Sequence, residues 1–134
     1  MEEGIKKDSD MKFSIIARLK SFKNAFSGVR ALLKSEHNAR IHLIILILVI
    51  VTGIMLSISS IEWIVILVVT GLVFVSECFN TAVEYLSNVV SPGYDDKIKM
   101  VKDIAAAGVL IAAVISVIIG IVVFLPKIYR LLDG

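Results

Sequence analysis

The chain has 134 residues, 57% hydrophobic and 19% charged, with a formal net charge of +2 and a mean hydropathy of +0.91. Soluble domains use roughly 45–50% apolar residues, so this composition lies outside that class, and it also excludes a disordered chain, a disulfide scaffold and a collagen-like fibre. One domain fits the length, the net charge is too small to suggest nucleic acid, and the single Cys78 lies in an apolar run and carries no redox information.

Residues 1–10 are polar, and the first long apolar run starts near Ile41, so no secretory signal peptide is expected. Residues 11–34 read as an amphipathic helix. Leu19, Phe22, Phe26, Val29 and Leu33 share one stripe, with Arg18, Lys20, Lys23, Arg30 and Lys34 around it, and Asp8-Ser9-Asp10 offers N-cap chemistry ahead of it. A basic amphipathic helix directly before a membrane span is expected to lie in the headgroup plane; packing on a soluble partner is the alternative.

Three apolar stretches follow. Between Arg40 and Glu62 lie 21 uncharged residues, 41–61, enough to cross the ~30 Å hydrocarbon core, with Ser57-Ile58-Ser59-Ser60 making a tight reversal. Trp63, an expected interfacial aromatic, opens a run of 14 residues that Glu77 interrupts, so a second span over 63–88 requires the helix to continue through Glu77. The third stretch, 104–125, has 22 uncharged residues and ends at Pro126. Its Gly108, Ala112, Ser116 and Gly120 form a small-residue stripe that lets helix backbones approach closely. The whole chain, 1–134, thus reads as a single all-α integral membrane domain: a surface helix plus three transmembrane helices. Three thin helices enclose little polar space alone, so an oligomer is expected.

The basic residues set an orientation. Nine Lys and Arg precede the first span, three lie in the 88–103 loop, none in the 57–62 hairpin and two in the C-terminal tail. The positive-inside rule puts the N-terminus and the 88–103 loop in the cytoplasm.

Glu77, Asn80, Glu84 and Asn88, with Thr81 among them, recur at helical spacing and make one polar stripe on an apolar helix. Glu62 marks the outer interface, and Glu77 comes 15 residues later, roughly 22 Å along a helix. Glu77 is therefore expected just inside the inner boundary of the hydrocarbon, with Glu84 at headgroup level. Carboxylates at such depth are costly and face a bundle interior. Two of them on one stripe repel unless a cation, a proton or a basic residue lies between, and Mg²⁺ with phosphate oxygens is one economical answer. Glu36, Asn38 and Arg40 sit at the entrance to the first span, and Lys102 and Asp103 lead into the third. Acids for a metal, a lysine for phosphate and a deeper acid as base form a phosphoryl-transfer constellation. Taken singly, Glu36 and Arg40 also read as an i,i+4 pair, and Lys102 and Asp103 as flanking residues that snorkel. His37 and His42 read as interfacial polar residues rather than metal ligands. No GxxxxGK[ST] or GxGxxG occurs.

The segment Glu77-Cys78-Phe79-Asn80-Thr81-Ala82-Val83-Glu84, with Lys102-Asp103 opening a long apolar helix, resembles the prokaryotic diacylglycerol kinase family, which includes the undecaprenol kinases. The resemblance covers nearly the whole chain. The stretch Glu36-His37-Asn38-Ala39-Arg40-Ile41-His42 is more similar to the undecaprenol-kinase branch. The resemblance implies an ATP-dependent lipid kinase of the bacterial cytoplasmic membrane, phosphorylating undecaprenol or diacylglycerol. Glu77 matches the general base and Asn80 a polar residue beside it; Glu36 and Glu84 match the acids that hold Mg²⁺ with ATP. Nucleotide contacts are implied at Asn24, Glu36, Glu84, Gly93, Tyr94, Asp95, Lys102 and Asp103, and the family implies a homotrimer with shared active sites. Asn88 stands where many members carry Asp. A competing reading from another class is a small oligomeric proton-coupled transporter using a membrane carboxylate. Transport sites tend to lie near the bilayer midplane, whereas these acids trail off one end of the helix.

Overall fold

A computed structural model describes residues 14–133, which are helical throughout apart from short joints. Helix α1 spans Ile15–Ser35, α2 His37–Met55, α3 Ser60–Val90 and α4 Asp96–Asp133. The last three are long and apolar enough to cross a membrane, so the architecture is an all-α membrane protein with a short leading helix.

Ser14 caps α1, its Oγ accepting from the Ala17 N–H at 3.3 Å. The Asp8–Asp10 cluster lies outside the described residues. One residue, Glu36, separates α1 from α2, in an extended conformation and with neither proline nor glycine to force the break. Arg40 holds this joint by donating from Nε to the Leu33 carbonyl (2.9 Å) and from Nη2 to the Lys34 carbonyl (2.6 Å), satisfying the last turn of α1. Its guanidinium is thus engaged by α1, not by an i,i+4 pairing with Glu36.

At 19 residues, or roughly 28 Å, α2 matches the hydrocarbon thickness. The uncharged run 41–61 is not one helix: α2 stops at Met55, and Ile61 already belongs to α3. The stop is a Schellman turn, with the Ser57 N–H bonded to the Ile54 carbonyl and the Ile58 N–H to the Gly53 carbonyl, each at 3.1 Å. Ser57 takes the left-handed position at φ 47°, where glycine is preferred. Ser57→Gly is therefore expected to raise stability by about 0.5–1 kcal/mol, read as a higher unfolding midpoint in micelles.

A capping box starts α3: Ser59 Oγ accepts from the Glu62 N–H (3.3 Å) and Glu62 Oε2 accepts from the Ser59 N–H (2.6 Å). The same carboxylate pairs with Lys127 of α4 at 3.1 Å. That contact lies one residue beyond Pro126, which does not end the helix. Proline removes one backbone donor, and α4 continues to Asp133 while its neighbour holds it. α4 also begins at Asp96, ahead of the apolar run, because charged residues outside the hydrocarbon remain helical.

Helices α3 and α4 pack along each other more extensively than any other pair. The apolar core sits at the reversal end, where Ile58, Ile66 and Val123 are buried and Val49, Leu56, Trp63, Ile119 and Phe124 close around them. Trp63 packs against Gly53, where a Cβ would come within 2.8 Å of the indole ring, so this aromatic packs inward. In the small-residue stripe of α4, Ala112 is buried, but a Cβ on Gly108 or Gly120 would meet nothing within 4 Å. These two glycines bring no backbone closer within one chain.

Candidate active site

The second half of α3 carries the polar stripe, because the apolar run continues as helix through Glu77, with no proline or glycine between Glu77 and Val90. Among the described residues the largest fully buried side chain is a carboxylic acid, Glu77, at 1% exposure. Asn80, Thr81 and Ser87 are also buried, and Glu84 is half-buried. Glu77 Oε1, Asn80 Oδ1 and Thr81 Oγ1 have no aligned hydrogen-bond partner. A buried polar oxygen left unpaired costs about 1–3 kcal/mol, and natural proteins concentrate such cost at functional sites. Asn80 turns its Nδ2 to Glu84 Oε1 at 3.4 Å, leaving Oδ1 free to accept.

Glu77 opens into a cavity of about 290 Å³ between α2, α3 and α4. Asn38, His42 and Asn80 supply its polar lining, and Ala106, Val109, Leu110 and Ala113 form an apolar wall. His42 Nε2 stands 3.3 Å from Glu77 Oε1. The charges of Glu36 and Glu84 also act on Glu77, so three carboxylates from the α1–α2 joint and from α3 share one neighbourhood. Thr81 faces the other way, into a groove of about 340 Å³ shared with α1 and lined by Gly28, Leu32 and Tyr85.

The remaining candidates form a second group near the α3–α4 loop. Lys102 Nζ donates to Asn88 Oδ1 at 3.3 Å, bridging the two helices one turn beyond Glu84. Asp95 caps α4, its Oδ1 accepting from the N–H groups of Lys97 (2.8 Å) and Ile98 (3.0 Å). The Tyr94 hydroxyl donates to Asp96 Oδ1 at 2.8 Å. That bond, with slight burial and the Asp103 charge, holds the phenol above its usual range. Gly93 accepts from Ser91 Oγ through its carbonyl. Asp103 pairs with Lys99 at 2.6 Å on an exposed face of α4, and Asn24 lies exposed on α1. The fold of one chain therefore gathers Glu36, Asn80 and Glu84 around Glu77, and leaves Asn24, Asp103 and the Gly93–Asp95 loop outside that neighbourhood.

Sequence reasoning missed His42 as a partner of Glu77. The usable signal was the hairpin itself: residues at similar distances along the two arms from the Ser57–Ser60 reversal end up at the same level.

Residues 23–124 match the family described as prokaryotic diacylglycerol kinase. The chain belongs to that family. It is 36% identical over 108 residues to the undecaprenol kinase of Bacillus subtilis, covering 81% of this chain and 88% of that protein. It is 34% identical over 115 residues to the diacylglycerol kinase of Synechocystis sp., covering 85% of this chain and 66% of that relative. Family membership makes the protein a lipid kinase, a phosphotransferase, and an integral membrane protein.

Among the described residues, no group of three His, Cys, Asp or Glu side chains is placed to cage a metal. The donors present are hard oxygens: the Glu36 and Glu84 carboxylates and the orphaned Asn80 Oδ1. This set fits Mg²⁺, which takes one or two carboxylates and completes its shell with phosphate oxygens and water.

Proposed function

We propose that the protein transfers the γ-phosphoryl group of MgATP to the hydroxyl of undecaprenol or diacylglycerol at the cytoplasmic face of the membrane. The observation that carries this reading is the sequestered Glu77 carboxylate, open to a cavity with an apolar wall and flanked by two further acids. A lipid alcohol and a water-soluble nucleotide meet only at the interface, and polar groups that trail from an apolar helix into the headgroup region suit that meeting. Nine of the 14 Lys and Arg precede the first span, which supports a cytoplasmic N-terminus.

In this mechanism Glu77 accepts the proton of the lipid hydroxyl as its oxygen bonds to the γ-phosphorus. The bond to the β–γ bridging oxygen breaks, and ADP leaves. Glu36 and Glu84 would hold Mg²⁺, which when bound neutralises charge on the nucleotide phosphates. Asn80 keeps the Glu84 carboxylate oriented. Lys102 meets the neutral amide of Asn88 rather than an acid, so its positive charge stays available to a phosphate. Most of the rate enhancement is then positioning and electrostatics.

The reading extends to assembly. A homotrimer with sites shared between subunits is supported by Gly108 and Gly120 of α4, where an added Cβ would meet nothing within the chain, and by nucleotide-contact candidates that one chain leaves outside the Glu77 neighbourhood.

The test is a competition assay in which detergent-solubilised protein receives labelled ATP and both alcohols together. Label is expected in the lipid fraction only with Mg²⁺ present, and the labelled product identifies the acceptor. Transfer to neither alcohol would overturn the proposal. Proton-driven uptake into liposomes without ATP would favour a transporter instead.

A further inference from the structure

We propose that His42 is a positioning residue for this reaction: it anchors one carboxylate oxygen of Glu77 so that the other faces the acceptor hydroxyl. The inference rests on the kinase reading above and on geometry that no sequence motif encodes. His42 Nε2 lies 3.3 Å from Glu77 Oε1, with the side chains 20% and 2% exposed. No other basic side chain among the described residues comes within ion-pair distance of Glu77.

The alternatives for anchoring Glu77 are few. Asn80, one turn along the same helix, gives its amide N–H to Glu84. Glu36 and Glu84 carry the same charge as Glu77 and repel it. From α4 the cavity receives only Ala106, Val109, Leu110 and Ala113, which can donate nothing through their side chains. Asn38, on the same α2 face as His42, lines the cavity without a hydrogen bond to Glu77. The terminal torsion of a glutamate is broad and roughly two-fold, so an untethered carboxylate swings its basic oxygen in and out of line. Displacements of about 1 Å at a reacting group can cost on the order of a hundredfold in rate.

Histidine suits the task for a chemical reason. A carboxylate oxygen can only accept, so the imidazole nitrogen facing it carries the proton. An imidazole donates that N–H from a ring nitrogen, whereas an arginine would impose a permanent positive charge that weakens the carboxylate as a base. The contact is close but not aligned as a hydrogen bond, as Glu77 Oε1 remains unpaired. Catalytic hydrogen bonds often tighten only when substrate is bound.

The experiment has a kinetic arm and a spectroscopic arm, both on the full chain in detergent. His42→Ala is expected to lower kcat by about a hundredfold while KM for ATP and for lipid changes by less than about threefold. His42→Gln, whose amide nitrogen reaches the place of Nε2, should recover most of the loss, which a space-filling role would not require. The chain has only two histidines, so ring-nitrogen magnetic resonance can follow each one. Glu77→Gln should move the His42 signals and leave those of His37 in place. Unchanged kcat in His42→Ala, a glutamine variant no better than alanine, or His42 signals indifferent to Glu77→Gln would each overturn the assignment. If the unmodified chain phosphorylates neither alcohol, the kinase reading fails by itself, and the spectroscopic arm still decides the His42–Glu77 contact.

Discussion

Glu77→Gln is expected to lower ATP-dependent lipid phosphorylation by about 10²–10⁴-fold, the range over which a positioned general base contributes. The substitution keeps the shape of the side chain and an oxygen that can accept from His42, so it removes basicity and the negative charge and little else. KM for ATP should hardly move, because the lost interaction belongs to the transition state. Stability should hold or rise, since the native carboxylate is buried with one oxygen unpaired and a neutral amide is cheaper to sequester. The checks are kcat against acceptor concentration and thermal unfolding in the same detergent. Near-normal turnover would remove Glu77 from the role of base.

Glu84→Ala should act on a different variable. Glu84 is half-buried, takes a hydrogen bond from Asn80 and shares the neighbourhood of Glu36 and Glu77. On the proposed role of Glu84 as a Mg²⁺ ligand, its loss should raise the Mg²⁺ concentration for half-maximal activity at least tenfold, since changes even behind a metal ligand cost about 10–100-fold in affinity. Excess Mg²⁺ should then restore part of the rate, which it cannot do for Glu77→Gln. A titration with Mg²⁺ at saturating ATP separates the two cases. An unchanged Mg²⁺ requirement in Glu84→Ala would argue against its role as a ligand.

The two groups of residues differ in how legible they were. Glu77, Asn80 and Glu84 were visible because acids at helical spacing in an apolar run have few structural explanations, and helical periodicity survives folding unchanged. The three long apolar helices were visible for the same reason: hydropathy is additive along the chain. The reversal at Ser57–Ser60 was legible as well, but the bounds of α4 were not: Pro126 sits inside a helix it was expected to close, and the charged start of α4 is helical outside the apolar run. Each depends on a neighbouring helix or on local backbone geometry rather than on composition. His42 is the sharpest case, since its partner lies on another helix and only the register of the hairpin connects them.

The packed cluster around Ile58, Trp63 and Val123, together with the Glu62–Lys127 pair, occupies the end of the bundle remote from Glu84. Apolar cohesion and buried acid are thus lodged at opposite poles of the same helices. Substitutions at the acidic pole should then leave the scaffold folded, and heat should loosen that pole first while the aromatic knot at the far pole still holds.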